Sequence, residues 1–93
     1  MGNLILGNGE ECYLCGETRE LESHLIFTGC DPRTGKRCGA YATLCAQCHR
    51  GKYGVHGAGK NGLWLRQEAQ DALMKREHWT IAEFVRVFGR NYV

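Results

Sequence analysis

The stretch Leu44-Cys45-Ala46-Gln47-Cys48-His49-Arg50-Gly51-Lys52-Tyr53-Gly54-Val55-His56 decides how the rest of the chain is organised. It holds a Cys-x2-Cys pair, a histidine directly after the second cysteine, and another histidine seven residues further on. Upstream, Cys12-Tyr13-Leu14-Cys15 repeats the pair, and His24 lies between the two. Zinc takes four thiolate or imidazole ligands in a tetrahedron, so Cys12, Cys15, Cys45 and Cys48 are the expected ligands of a structural Zn2+. Gly16 permits the tight turn that aims the first two thiolates at one ion. With 29 residues between Cys15 and Cys45, such a site closes a loop that is otherwise weakly held.

Working outward, a chain of 93 residues makes one domain with a limited core, for which a metal or disulfide staple is expected. Six cysteines would suit a disulfide framework in a secreted protein. Met1 to Gly7, however, has neither a basic start nor a long apolar run, so no signal peptide is expected. No apolar stretch approaches the roughly 20 residues that span a bilayer, and no membrane partner is expected. Zinc binding in a cytoplasmic setting is therefore the reading. Cys30 and Cys38, separated by seven residues, match no ligand spacing and read as buried or free thiols.

The net charge of +2 is small, but the charges are segregated. Residues 1–31 hold six acids and one base, residues 32–67 hold seven bases and no acid, and residues 68–93 balance four against four. The positive block coincides with the stretch that carries His49 and His56. A basic surface there favours a phosphate-bearing partner, with Arg37, Arg50, Lys52 and Lys60 as contacts. The plainer alternative is a solvated loop face.

Along the chain, Leu4–Leu6 reads as an edge strand or a disordered arm. Leu25, Ile26 and Phe27 give strand propensity to residues 20–27, and Ala40–Leu44 reads as a second strand, with a turn-rich connection from Gly29 to Gly39. A knuckle, a hairpin and a second pair opening a helix make treble-clef order. A short helix follows from Cys45 to about Lys52, then a glycine-rich connection through residue 62. Asn61 is a fair N-cap, and Leu65, Ala69, Ala72 and Leu73 predict an amphipathic helix over residues 62–78. Thr80-Ile81-Ala82-Glu83 is a capping box that opens a second helix, with Ile81, Phe84, Val85 and Phe88 on one side and Gly89 as the stop. Trp64 and Trp79 are expected to serve packing, and His78 to end a helix.

His49, following Cys48 in the first helical turn, should project away from the thiolates, and His56 can fold back towards it. Three imidazoles from His24, His49 and His56 on one divalent ion would leave positions open for water and a phosphate oxygen. Surface or capping histidines are the alternative.

Taken together, these residues resemble the HNH endonucleases, the ββα-metal nucleases, in their zinc-stapled form. The matching pieces are Cys12-x2-Cys15, Leu21-Glu22-Ser23-His24-Leu25-Ile26-Phe27, Leu44-Cys45-x2-Cys48-His49, Val55-His56 and the tail Phe88-Gly89-Arg90-Asn91-Tyr92-Val93. The tail looks like the end of small HNH proteins of phages and prophages. The resemblance implies one domain over residues 1–93, of small α+β class. It comprises an arm (1–11), a treble-clef or ββα-metal zinc core (12–60) and two C-terminal helices (61–93). It also implies hydrolysis of DNA phosphodiesters, with a second divalent metal (Mg2+, Mn2+, Ni2+ or Zn2+) held by His24, His49 and His56, inside a bacterial or phage-infected cell. In that family the residue after the first metal-binding histidine is commonly the general base. In the ungapped register that residue is Leu25, and loss of a general base costs about 10²–10⁴-fold in rate. Shifted by one, His24 becomes the base and Ser23 takes the metal position. A weakened nuclease and a silent zinc module that binds DNA or a protein partner are thus both open.

Overall fold

The computed structural model describes residues 3–35, 37–52, 54–56 and 60–93. It is a small α+β fold of three strands and three helices: β1 Leu4–Leu6, β2 Leu21–Cys30, β3 Arg37–Cys45, α1 Ala46–Arg50, α2 Asn61–Glu77 and α3 Ile81–Phe88. The strand order is β1-β3-β2, so the β2–β3 hairpin forms the body of the sheet and β1 adds a parallel edge. Leu4–Leu6 is thus an edge strand, with Leu6 buried and Ile5 60% exposed.

Both hairpin strands run further than local propensity suggests. Gly29 and Cys30 stay paired with Cys38 and Arg37, so the turn shrinks to the residues around Asp31-Pro32-Arg33-Thr34-Gly35. Here the ladder, which satisfies every backbone donor it captures, overrides weak strand formers such as glycine. A bulge between Leu25 and Phe27 shifts the register by one residue. The side chains on either side of it thereby change function along the strand. His24 and Ile26 are buried, and the Phe27 ring stacks on Tyr92 at 5.6 Å while meeting Phe84 edge-on.

The helices cover one face of the sheet. Leu65, Ala69 and Leu73 of α2 are fully buried at helical spacing, as the sequence periodicity requires. α2 opens at Asn61 itself, with Lys60 at the N-cap, and ends at His78 in the left-handed conformation. The capping box at Thr80 and Glu83 forms in both directions, and Gly89 takes φ 84° at the stop of α3. Phe84 and Val87 are the buried residues of α3, whereas Ile81 is 47% exposed. Ile81 occupies the first helical position, directly after the Thr80 N-cap. Trp64 is also turned out, 44% exposed, touching Tyr13 at 6.1 Å between ring centroids, so the expected packing role is at most partial. Trp79 does pack against the core.

Gln70 is a buried polar residue that hydrophobic periodicity does not reveal. Its amide nitrogen donates to Asn91 Oδ1 at 2.7 Å and its Oε1 accepts from the Tyr92 amide at 2.8 Å, tying the C-terminal tail to α2. The expected glycine-rich connection is described only in part, since residues 57–59 lie outside the described residues, as do Met1, Gly2, Lys36 and Tyr53. Among the described residues no helix is long and apolar enough to cross a membrane.

Candidate metal centres

The two knuckles meet because backbone bonds hold them together. Gly16 donates to the Cys12 carbonyl at 2.9 Å, closing the first turn, and Tyr13 donates to the Thr43 carbonyl at 2.8 Å, seating that turn beside the end of β3. Cys45 ends β3 and stands at the N-cap of α1, and Cys48 falls within the first turn. The four sulfurs gather within 4.8 Å of one another, with Cys15 and Cys45 Sγ 3.7 Å apart. Four ligands about 2.3 Å from a tetrahedral zinc lie about 3.8 Å from each other. The group is thus the right size for that ion, and the all-sulfur donor set fits zinc best.

Electrostatics agrees. Burial raises the Cys12 thiol, but the Cys45, Cys15 and Leu14 amides outweigh it and bring the group to about 6. Burial and the neighbouring Cys15, Cys12 and Cys45 sulfurs push Cys48 strongly up. For Cys15, the Glu17 amide pulls down while burial and the other thiols push harder, for a net rise. One thiolate therefore forms readily, and its charge resists the next. A divalent cation removes that conflict. Cys30 is exposed and Cys38 is buried and raised by that burial; neither belongs to the group.

A second cluster lies on the other side of α1. Consecutive residues on a helix point about 100° apart, so Cys48 turns to the thiols and His49 away from them. His24 projects from β2 and is buried. His56 follows α1, and what returns it is local. Val55 donates its N–H to the Cys48 carbonyl at 2.8 Å, and Gly54 makes the approach, since a Cβ there would stand 2.5 Å from the same oxygen. The ring centroids of His24, His49 and His56 lie 4.8 to 5.0 Å apart, and their ligand nitrogens fall within 4.8 Å of one another. These three residues form a set that could hold a metal ion.

Glu22, which spacing rules did not single out, organises this cluster. Two residues before His24 on β2, it shares that strand face. Its Oε1 lies 2.7 Å from His49 Nδ1, and Arg50 clamps it through Nε at 3.0 Å and Nη2 at 2.7 Å. The hydrogen bonds from Arg50 first, then from His49, hold the carboxyl at about 2. An ionised carboxylate only accepts, so Nδ1 of His49 is the donor in this pair, the tautomer that in a neutral imidazole leaves Nε2 for a ligand. The available signal was the i, i+2 spacing of Glu22 and His24 on a strand, but its partners come from 27 and 28 residues away.

Burial, followed by the charges of His49, His56 and Arg66, lowers His24 to about 4, so its imidazole is neutral at pH 7. The unfolded histidine would titrate at 6.5. The fold therefore loses the stability tied to neutral His24 as pH falls from 6.5 through about 4, and keeps all of it above 6.5.

The basic residues expected around the cluster divide. Arg50 is there, but its guanidinium is held by Glu22. Lys52 and Lys60 are exposed on the connection between α1 and α2. Arg37 is at the wrong end: β3 pairs Ala42 with His24, and Arg37 stands five residues earlier, roughly 17 Å along the strand. Leu25 is 46% exposed and, by strand alternation, faces away from His24. It pairs with Tyr41, which pairs with exposed Ile5, so it belongs to the open face of the sheet.

Comparison with family models, curated proteins and solved structures finds no match to this chain.

Proposed function

We propose that this protein is a metal-dependent DNA endonuclease of the HNH type, stapled by zinc at Cys12, Cys15, Cys45 and Cys48. The observation that carries this reading is the three-histidine cluster, drawn from β2, α1 and the following turn and set beside the zinc-type group. His24, His49 and His56 would hold a second divalent ion (Mg2+, Mn2+, Ni2+ or Zn2+). Such an ion supplies charge stabilisation to a phosphate oxygen and to the leaving oxygen. The chain's own part is to keep His24 neutral by burial, to orient His49 through Glu22, and to leave His56 accessible at the rim. The basic stretch from residue 32 to 67 favours DNA as partner, and the resemblance to phage and prophage HNH proteins favours a bacterial or phage-infected cytoplasm.

A second reading is a silent HNH-like zinc module that binds DNA or a protein partner. Leu25 favours it, because the family's usual base position holds a leucine that faces away from the histidines. Supercoiled plasmid incubated with Mg2+, Mn2+, Ni2+ or Zn2+ separates the two. The nuclease reading expects metal-dependent nicking, lost in His49→Ala. No nicking with any metal, in protein that keeps its zinc, moves the assignment to the silent module.

Glu22→Gln tests the internal organisation of the same site. Outer-shell partners of ligating histidines are worth about 10–100-fold in metal affinity. The variant should bind Mn2+ at the histidines correspondingly more weakly in a calorimetric titration, with the Cys-bound zinc retained. Unchanged Mn2+ affinity would mean that Glu22 serves only to anchor Arg50.

A further inference from the structure

Two arginines flank the three histidines, and they differ in one respect. Arg50 is matched by a bidentate carboxylate. Arg66 is not. It lies on α2 directly after fully buried Leu65, is itself only partly exposed, and among the described residues no carboxylate or hydrogen-bond acceptor engages its guanidinium.

Its position is set by the close passage of α2 over the His56 turn. A Cβ on Gly62 would stand 2.8 Å from the Val55 carbonyl oxygen and 3.4 Å from Arg66 Nη1. The glycine one helical turn earlier therefore lets the backbone of residue 55 and the Arg66 head share that space, next to His56. Its field also reaches His24 from this place, contributing to the lowered basicity of that ring. A guanidinium partly withdrawn from water, with no partner among the described residues, is open to an anion that completes it. Beside three ligand nitrogens that would hold a divalent cation, the missing partner is an oxyanion.

We infer that Arg66 is the phosphate-gripping residue of the three-histidine site, its fork holding oxygens of a phosphate that also reaches the ion. The inference rests on the reading of those histidines as a metal site and deepens it. It also moves the role given to Arg50 by sequence proximity onto a residue ten positions beyond His56. Guanidinium suits this because two parallel N–H donors match two phosphate oxygens.

The test uses full-length protein holding its zinc and titrated with Mn2+, and follows inorganic phosphate by the broadening of its 31P resonance. Wild type should bind phosphate only when Mn2+ is present. Arg66→Gln should weaken phosphate by about tenfold or more while Mn2+ affinity and melting stay as they were. Arg66→Lys keeps the charge without the fork and should fall between the two, and it replaces the glutamine variant if that one fails to fold. Phosphate affinity unchanged in both variants, or no phosphate binding by wild type with Mn2+ bound, overturns the assignment. Plasmid nicking, run in parallel, tells nucleic-acid phosphate from free phosphate. If phosphate binding depends on Arg66 but wild type never nicks, the anion site stands and the nuclease reading falls alone.

Discussion

Cys45→Ser is expected to give a chain that holds no zinc at the thiol group and shows no cooperative melting at 25 °C or above. Cys45 is both the last residue of β3 and the N-cap of α1, so its thiol joins the sheet to the helix that carries Cys48 and His49. Structural zinc in small domains is worth about 10–16 kcal/mol, of the same order as a whole domain's net stability of about 5–15 kcal/mol. The apolar core is too small to make up that loss, since the largest fully buried side chains are few. Metal analysis together with circular-dichroism melting checks this. A Cys45→Ser protein with wild-type melting and full zinc would refute the structural role. Cys30→Ser is the matching control: that thiol is exposed and outside the group, so it should change neither quantity.

Phe84→Ala should cost about 3–5 kcal/mol in urea denaturation. Phe84 is fully buried, and its ring meets Phe88 at 4.8 Å, Phe27 at 5.6 Å and Tyr92 at 6.5 Å between centroids. It thus joins α3 and the tail to β2 on the far side of the bulge from His24. Removing the ring leaves a cavity among aromatic groups that cannot collapse without moving a helix. The zinc should stay bound, since the thiol group draws on other elements. A loss below about 1 kcal/mol would mean that α3 is anchored by its caps and by the tail rather than by this cluster.

The features legible from residues alone share a short range. The Cys-x2-Cys turns, the Thr80–Glu83 capping box, the glycine at 89 and the apolar period of α2 are each set within a few residues. That His49 would turn from the thiols followed from helix geometry alone. The strands outrun their local propensity because a ladder extends wherever a partner is present, whatever the propensity of Gly29 or Gly39. Hydrophobicity alone puts Ile81 and Trp64 in the core, but it does not set which apolar side chains near a helix start face solvent, and both are exposed.

The amino-acid sequence by itself determined the zinc-type ligand set, the α+β class and the identity of the three histidines. Only the tertiary structure decided which charges accompany them. Glu22 reaches His49 and Arg50 across 27 and 28 residues, Val55 returns His56 through one carbonyl of α1, and α2 brings Arg66 to the His56 turn while Arg37 stands at the far end of β3. The reason is physical. Ligand chemistry is written in residue type and turn spacing, whereas an ion pair or an unmatched guanidinium depends on which distant backbone passes within a few ångströms, and no local pattern encodes that distance.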